Sequence, residues 1–287
     1  MYKIEKILPK DFPGALLEIP QKPKDLYLAG QLPDPTKYIY LTVVGSRHYS
    51  TYGREACEKI ISGLAGQPFV IVSGLALGID TIAHQSALED HLPTVAFPGS
   101  GLNPSVLYPS ANRRLAEKIL ENSGALISEY SPDQMATLYT FPQRNRLMAG
   151  IARATLIIEA GKRSGTLITA RLATEYNRDV LAVPGSIFSP NSYGSNWLIK
   201  QGATPITEAS DILKHFNLAE EQFDSPEKFA DLSVSEKKIV ELLKIEALPR
   251  DELIFKTKIS ASEANTLLSI MEIKGLIKES LGEFHLC

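Results

Sequence analysis

Phe141-Pro142-Gln143-Arg144-Asn145-Arg146 opens a basic stretch in a chain whose formal net charge is −3. Between Arg144 and Arg171 stand six lysines and arginines (Arg144, Arg146, Arg153, Lys162, Arg163, Arg171) against one acid, Glu159. A guanidinium presents a planar fork of donors that matches a phosphate, and an aromatic ring presents a face on which a base stacks. Asn adds a donor and an acceptor for base edges. Together these side chains suit a ligand with phosphates and flat bases, a nucleotide or a nucleic acid. Arg144 and Arg146 are two residues apart, so a helix sends them to different faces. They reach different groups of an extended ligand, or one of them pairs with Glu129 or Glu159.

Four other segments share this anion-ready character. In Gly45-Ser46-Arg47, glycine allows a tight turn, the serine hydroxyl donates to a phosphate oxygen and the arginine forks onto one. Ser73-Gly74-Leu75-Ala76-Leu77-Gly78-Ile79-Asp80 ends a strand, turns on two glycines and enters a helix whose first N–H groups favour an anion. Pro98-Gly99-Ser100-Gly101 again permits close backbone approach, with Tyr108 beyond it as a stacking surface or a lid on the core. Lys162-Arg163-Ser164-Gly165-Thr166 places two bases before another helix start.

The glycine spacing departs from the dinucleotide fingerprint, and the Gly-Lys-Ser/Thr of a P-loop is missing. Asp80 reads as a helix-start residue satisfying backbone donors, and His84 as a packed histidine on the same face. A catalytic His–Asp pair needs a nucleophile or a metal, and no candidate for either stands in the chain. No catalytic residue, metal ligand or cofactor is therefore expected.

The elements that must carry these loops are legible as a rhythm. Apolar runs rich in β-branched residues at 39–44, 69–73, 94–97, 125–128, 155–159 and 180–183 alternate with helical patterns near 51–66, 79–89, 110–122, 142–153 and 164–177. Repeated β-α-β order implies a mostly parallel sheet with helices on both faces. Ligands of such sheets bind outside the carboxyl ends of the strands, where these glycine loops fall. Residues 1–38, with six prolines, read as an irregular lead-in segment over the core.

The chain has 287 residues, 44% of them apolar and 22% charged, enough for one large core and a smaller unit. Two cysteines, Cys57 and Cys287, make no disulfide framework and imply a reducing compartment. With no membrane-length apolar run and no apolar signal region, a cytoplasmic protein is expected. The charge is unevenly spread. Residues 1–217 carry 21 bases and 19 acids, residues 218–230 one base and four acids, and residues 231–287 eight bases and ten acids. A polyanion therefore belongs on the large N-terminal part.

The acidic stretch 218–230 reads as a linker. Beyond it, Ile239, Leu242 and Leu243 mark one helix, 250–255 a short second one, and Ser260 with Glu263 a capping box that opens a third. Gly275 ends that helix, and two short strands follow as a hairpin. Residues 231–287 thus form a winged-helix pattern. Its third helix, 260–274, carries one base, Lys274, and two acids, Glu263 and Glu272, which argues against duplex reading.

Taken in order, Gly45-Ser46-Arg47, Ser73-Gly74-Leu75-Ala76-x-Gly78-Ile79-Asp80, Phe141-Pro142-x-Arg144-Asn145-Arg146, Glu159, Ser164-Gly165-Thr166 and Val183-Pro184-Gly185 resemble the DprA/Smf family of bacterial DNA-processing proteins. The likeness spans about 39–217, and the tail looks like that family's winged helix. The resemblance implies an extended Rossmann-like fold that binds single-stranded DNA, pairs as a homodimer through that unit and loads the recombinase RecA during natural transformation. It implies DNA contacts from Arg47 and Arg144/Asn145/Arg146, with Phe141 and the loops at Gly45–Ser46, Ser73–Gly78, Gly99–Gly101 and Ser164–Thr166 beside the strand. Many members carry an extra N-terminal helical domain, of which residues 1–38, short and proline-rich, are expected to be no more than a remnant. A second reading is a LOG-type nucleotide phosphoribohydrolase, but Thr169 stands where those enzymes carry the glutamate of their signature, removing the acid/base that glycosidic cleavage needs.

Overall fold

The computed structural model describes residues 2–218, 232–243, 247–257, 259–280 and 282–286. They fall into two compact units, Met1–Ala219 and Glu220–Cys287. The first is built on one sheet of β1 (Glu5–Ile7), β2 (Leu26–Gly30), β3 (Ile39–Val44), β4 (Phe69–Ser73), β5 (Thr94–Ala96), β6 (Ala125–Ser128), β7 (Ala154–Ile157), β8 (Asp179–Ala182) and β9 (Thr204–Pro205). The strand order is β1-β2-β6-β5-β4-β3-β7-β8-β9. Every pairing from β6 through to β9 is parallel, and only β1–β2 and β2–β6 are antiparallel. Each of the six expected apolar runs forms a strand.

The strands are buried on both faces, and their side chains alternate between two cores. Leu41, Val43, Phe69 and Ile71 pack with α2 (Thr51–Ser62), α3 (Ile79–Glu89) and α8 (Ala209–His215) through Cys57, Ile60, Ile82 and Ile212. Tyr40, Val44, Val70 and Val72 point the other way, toward α1 (Gly14–Glu18), α5 (Thr140–Ile151), α6 (Thr166–Glu175) and α7 (Tyr193–Lys200). This period of two explains why the runs read as continuously apolar rather than alternating. Helix α4 (Arg113–Glu121) closes a smaller core over β2, β5 and β6.

The lead-in segment is the main departure from the sequence reading. Instead of irregular chain it holds β1, α1 and β2, and β2 pairs with β6 from Tyr27↔Ser128 to Gly30↔Ala125. The prolines interrupt the segment between these elements. Leu26–Gly30 is too short to show a period, and the open edge of β6 makes it a strand.

Between β3 and β7 the strand order changes direction: β4, β5 and β6 lie to one side of β3, while β7, β8 and β9 lie to the other. A crevice opens at such a reversal because the two flanking loops leave the sheet toward opposite faces. Here those loops are Gly45–Ser50 and Ile158–Gly165, two of the segments chosen for their chemistry.

The second unit contains α9 (Val234–Leu243), α10 (Arg250–Thr257) and α11 (Ala261–Ile273) with a small sheet of β10 (Leu248–Pro249), β12 (Glu283–Leu286) and β11 (Ile277–Ser280), in that spatial order. This is a winged helix. Ser260 and Glu263 form the expected capping box at the start of α11, and Ile239, Leu253, Leu268, Met271 and Phe284 make the core. The linker reading at 218–230 lies outside the described residues apart from Leu218.

Candidate nucleic-acid interface

The loop after β3 is held at almost every residue. The Gly45 carbonyl accepts from Thr166 Oγ1 at 3.0 Å, and the Ser46 carbonyl from the Ile79 N–H at 3.2 Å. The Ser46 hydroxyl accepts from the His48 N–H (3.1 Å) and donates to the His48 carbonyl (2.9 Å), which also accepts from Asn191 Nδ2 at 2.9 Å. Ser50 donates its N–H (2.9 Å) and its hydroxyl (2.6 Å) to the buried Glu159 carboxylate. Glu159, expected as a partner for Arg144 or Arg146, is thus committed to this loop. Within this fixed frame Arg47 is exposed and has no hydrogen-bonding or ionic partner among the described residues. Its guanidinium lies 5.4 Å from the Phe141 ring centre.

The loop after β4 is a support. Ser73 is fully buried and donates to the Val43 carbonyl at 2.7 Å. Gly78 adopts φ +92°, and a Cβ there would meet the backbone of Ser46 and Arg47, so only glycine lets the two loops touch. The Gly74 N–H donates to Asp80 Oδ2 at 3.1 Å, which gives Asp80 the expected role of satisfying backbone donors. His84 is buried, its Nδ1 2.7 Å from Thr94 Oγ1, as a packed histidine should be. Leu75 sits in the left-handed region at φ 57°, and Asn112 Nδ2 holds it by donating to its carbonyl at 2.8 Å.

The two arginines of α5 separate as i and i+2 require, and each has a partner within the protein. Arg144 is buried, and its Nη1 donates to the carbonyls of Gly74 and Phe97, tying together the loops after β4 and β5. The space for it exists because Gly74 has no side chain. Burial pushes the Arg144 pKa down to about 10, with Asp80 opposing, so it stays charged at neutral pH. Burial pushes the Asp80 carboxyl up, opposed by Arg144 and by the N–H groups of Ala76 and Gly74. Arg146 pairs with Glu129 in a part-buried contact away from the cleft. A hydrophilic helix start in sequence does not reveal that one arginine faces inward; only the packing of α5 over β3 and β4 does.

Gly99 and Gly101 are buried as well. Gly99 lies under the Phe141 ring, and Gly101 is wedged against the Ser131 and Pro132 carbonyls while donating its N–H to the Gln134 carbonyl at 2.8 Å. They let neighbours pack rather than face a ligand. Tyr108, half exposed, has its ring centre 5.5 Å from that of Phe141 and borders a smaller pocket beside the cleft.

After β7, Lys162 lies over the Tyr193 ring at 5.5 Å, and Arg163 is exposed with no partner among the described residues. Ser164 Oγ bonds Thr166 Oγ1 at 2.9 Å and accepts the Thr166 N–H at 3.2 Å, shaping the start of α6. Gly165 has open space around its Cα.

These loops enclose a cleft of about 480 Å³. Of the residues chosen from sequence, Gly45, Ser46, Arg47, Phe141, Arg144, Asn145, Ser164, Gly165 and Thr166 line it; Ser73, Gly74, Gly78, Gly99, Gly101 and Arg146 do not. Gly74 instead borders a smaller adjoining pocket with Leu77, Tyr108 and Phe141. His48 and Asn191 line the cleft and were not anticipated. Asn191 follows Pro184-Gly185-Ser186 at the same sheet edge, and that shared edge is the one signal that marks it. Among the described residues Asp80 is the one carboxylate lining the cleft, and it accepts from backbone donors of its own loop.

The arrangement defines an extended Rossmann-like α/β protein with a cleft at its switch point and an appended winged helix. The chain belongs to the family of DNA recombination-mediator protein A: residues 3–217 match that family, and residues 224–282 match the DprA winged helix domain. It is 36% identical over 289 residues to Protein Smf of Escherichia coli, covering 97% of this chain and 76% of that protein. It is 44% identical over 210 residues to the DNA processing protein DprA of Streptococcus pneumoniae, covering 73% of each. The solved structure of the pneumococcal DprA superposes with a TM-score of 0.68 at 42% identity over 74% of each chain. A Helicobacter pylori DNA processing protein A, described for its single-stranded DNA binding mode, superposes with a TM-score of 0.67 at 27% identity over 75% of this chain and 96% of its own. Among the described residues no helix is long and apolar enough to cross a membrane.

Proposed function

We propose that this chain binds single-stranded DNA in the switch-point cleft and, in the cytoplasm, hands the strand to RecA for recombination during natural transformation, without a catalytic step. The observation that carries this reading is Arg47: a free guanidinium on a loop braced by Ser46, Thr166, Ile79, Asn191 and Glu159, set against an aromatic ring. A fixed loop loses little entropy when the ligand docks. Arg47 and Arg163 supply charge for phosphates, Ser164–Thr166 supplies donors at a helix start, Phe141 holds Arg47 in place, and Tyr108 supplies a stacking face that a duplex would not reach. Residues 39–217 are the strand-binding part and 231–287 a winged helix with a partner-binding or packing role.

Self-association through the first unit fits the segment after β8. Ile187 and Phe188 are 85% and 91% exposed, with Tyr193 and Trp197 half exposed beside them. Such a cluster is the kind of surface a second copy covers. A phosphoribohydrolase activity finds no support at Thr169, which lines the cleft where that chemistry would need a carboxylate.

The deciding experiment is a salt-titrated comparison of single-stranded and duplex binding. Preference for the single strand with affinity falling steeply in salt is expected; equal affinity for duplex would refute the cleft. Release of free base from nucleoside monophosphates would refute the non-catalytic reading. Failure to speed RecA filament formation on a coated strand would refute the hand-over.

A further inference from the structure

Arg47 is the middle residue of an arch, 45–49, and both feet of that arch stand on the chain that leaves β7. At one foot the Ile158 N–H donates to the Val44 carbonyl at 3.1 Å. At the other, the Glu159 carboxylate accepts the Ser50 N–H on Oε2 at 2.9 Å and the Ser50 hydroxyl on Oε1 at 2.6 Å. The Ala160 N–H then donates to the Asn191 carbonyl at 2.8 Å, and Asn191 Nδ2 donates back to the His48 carbonyl at 2.9 Å. Residues 158–160 thus set the path of the segment that carries Arg47.

Glu159 is an unusual choice for this task. It is 1% exposed and has no cationic partner among the described residues. A carboxylate taken out of water is costly unless donors meet it. The donors here belong to Ser50, the N-cap residue of α2, and a helix start favours an anion. Ser50 Oγ also accepts the Gly53 N–H at 3.1 Å, and Gly53 lies so close to the carboxylate that a Cβ there would overlap it. The start of α2 is therefore filled by the protein's own anion. Of the two helix starts at the switch point, that of α6 lines the cleft through Ser164, Gly165 and Thr166, whereas neither Glu159 nor Ser50 lines it. Glu159 can act on a ligand only through the residues it holds.

We propose that Glu159 is a positioning residue for strand binding: it fixes the Ser50 foot of the arch and so sets where the Arg47 guanidinium meets a phosphate. The inference rests on the strand-binding reading of the cleft. It gives an acid beside an anion-binding cleft a favourable effect on affinity, opposite in sign to that of its charge.

The test is a double-mutant cycle between Glu159 and Arg47 in the full chain, with an oligothymidylate titrated across a salt series at a temperature where circular dichroism shows each variant folded. Glu159→Gln keeps the shape and removes the charge. By charge alone it should tighten binding of a polyanion. Positioning predicts the reverse, a loss of at least about threefold, within the range for residues coupled through a shared backbone segment. The slope of log affinity against log salt should fall toward that of Arg47→Gln, by up to about 0.7. Added to Arg47→Gln, Glu159→Gln should cost nothing further. Ser50→Ala, which removes one donor from the carboxylate, should show the same pattern at smaller size, and it decides the question if Glu159→Gln does not fold. Unchanged or tighter binding by the folded variant overturns the proposal. So does a loss that persists in full beside Arg47→Gln, which would assign Glu159 to general stability. A parent that binds no single strand, or an Arg47→Gln variant with parental affinity and slope, overturns the reading of the cleft beneath it.

Discussion

Arg47 stands over the face of Phe141, its guanidinium carbon 5.4 Å from the ring centre, although one residue follows β3 and the other opens α5. A cation on an aromatic face is held in place yet keeps its donors available. Arg47→Glu should cut single-strand affinity at least tenfold by adding repulsion to the lost contact. Arg47→Gln should lower the slope of log affinity against log salt by about 0.7, the contribution of one phosphate on a single strand. Fluorescence anisotropy across a salt series measures both, and unchanged slopes would remove Arg47 from the interface.

Arg144 should behave differently, as a buried brace. Arg144→Met removes two bonds to carbonyls and leaves Asp80 buried without its neighbouring charge. Breaking such an arrangement costs about 3–5 kcal/mol. A melting point lower by on the order of ten degrees follows for a unit of this size. Arg144→Lys should not rescue it, because a single ammonium cannot reproduce the fork. Thermal denaturation showing parental stability would place Arg144 on the ligand instead.

His84 links the first unit's stability to pH. Burial, helped by the positive charge of Arg144, lowers its pKa from 6.5 to about 3. The unfolded chain therefore takes up the proton first. The stability due to neutral His84 is full above pH 6.5 and declines as pH falls toward 3. His84→Gln should flatten that decline, as read from denaturant midpoints between those limits, and an equally steep decline in the variant would assign the effect to other groups.

Removing residues 218–287 should leave strand binding within about twofold, since every cleft residue precedes that point. Loss of binding by the truncated protein at equal concentration would move part of the interface to the winged helix.

The sheet and its loops were readable because parallel strands buried on both faces are locally distinctive: all six apolar runs became strands, and the helices between them followed within a few residues. The first strands were not readable, because Leu26–Gly30 becomes a strand only against the open edge of β6. The same limit applied at the site. Arg47 and Arg144 both appeared as arginines at a ligand-facing edge, and Glu129 and Glu159 both appeared as possible partners for Arg144 or Arg146, of which Arg146 takes Glu129.

By itself the sequence determined the fold class, the family and the edge of the sheet at which the glycine loops gather, because periodicity, glycine placement and ordered motifs are properties of the chain. Tertiary structure alone decided which charges are free. Whether a guanidinium meets water, a carbonyl or a carboxylate depends on loops that arrive from remote strands: Gly74 and Phe97 claim Arg144, Glu129 claims Arg146, Ser50 claims Glu159, and Arg47 is left to the ring of Phe141.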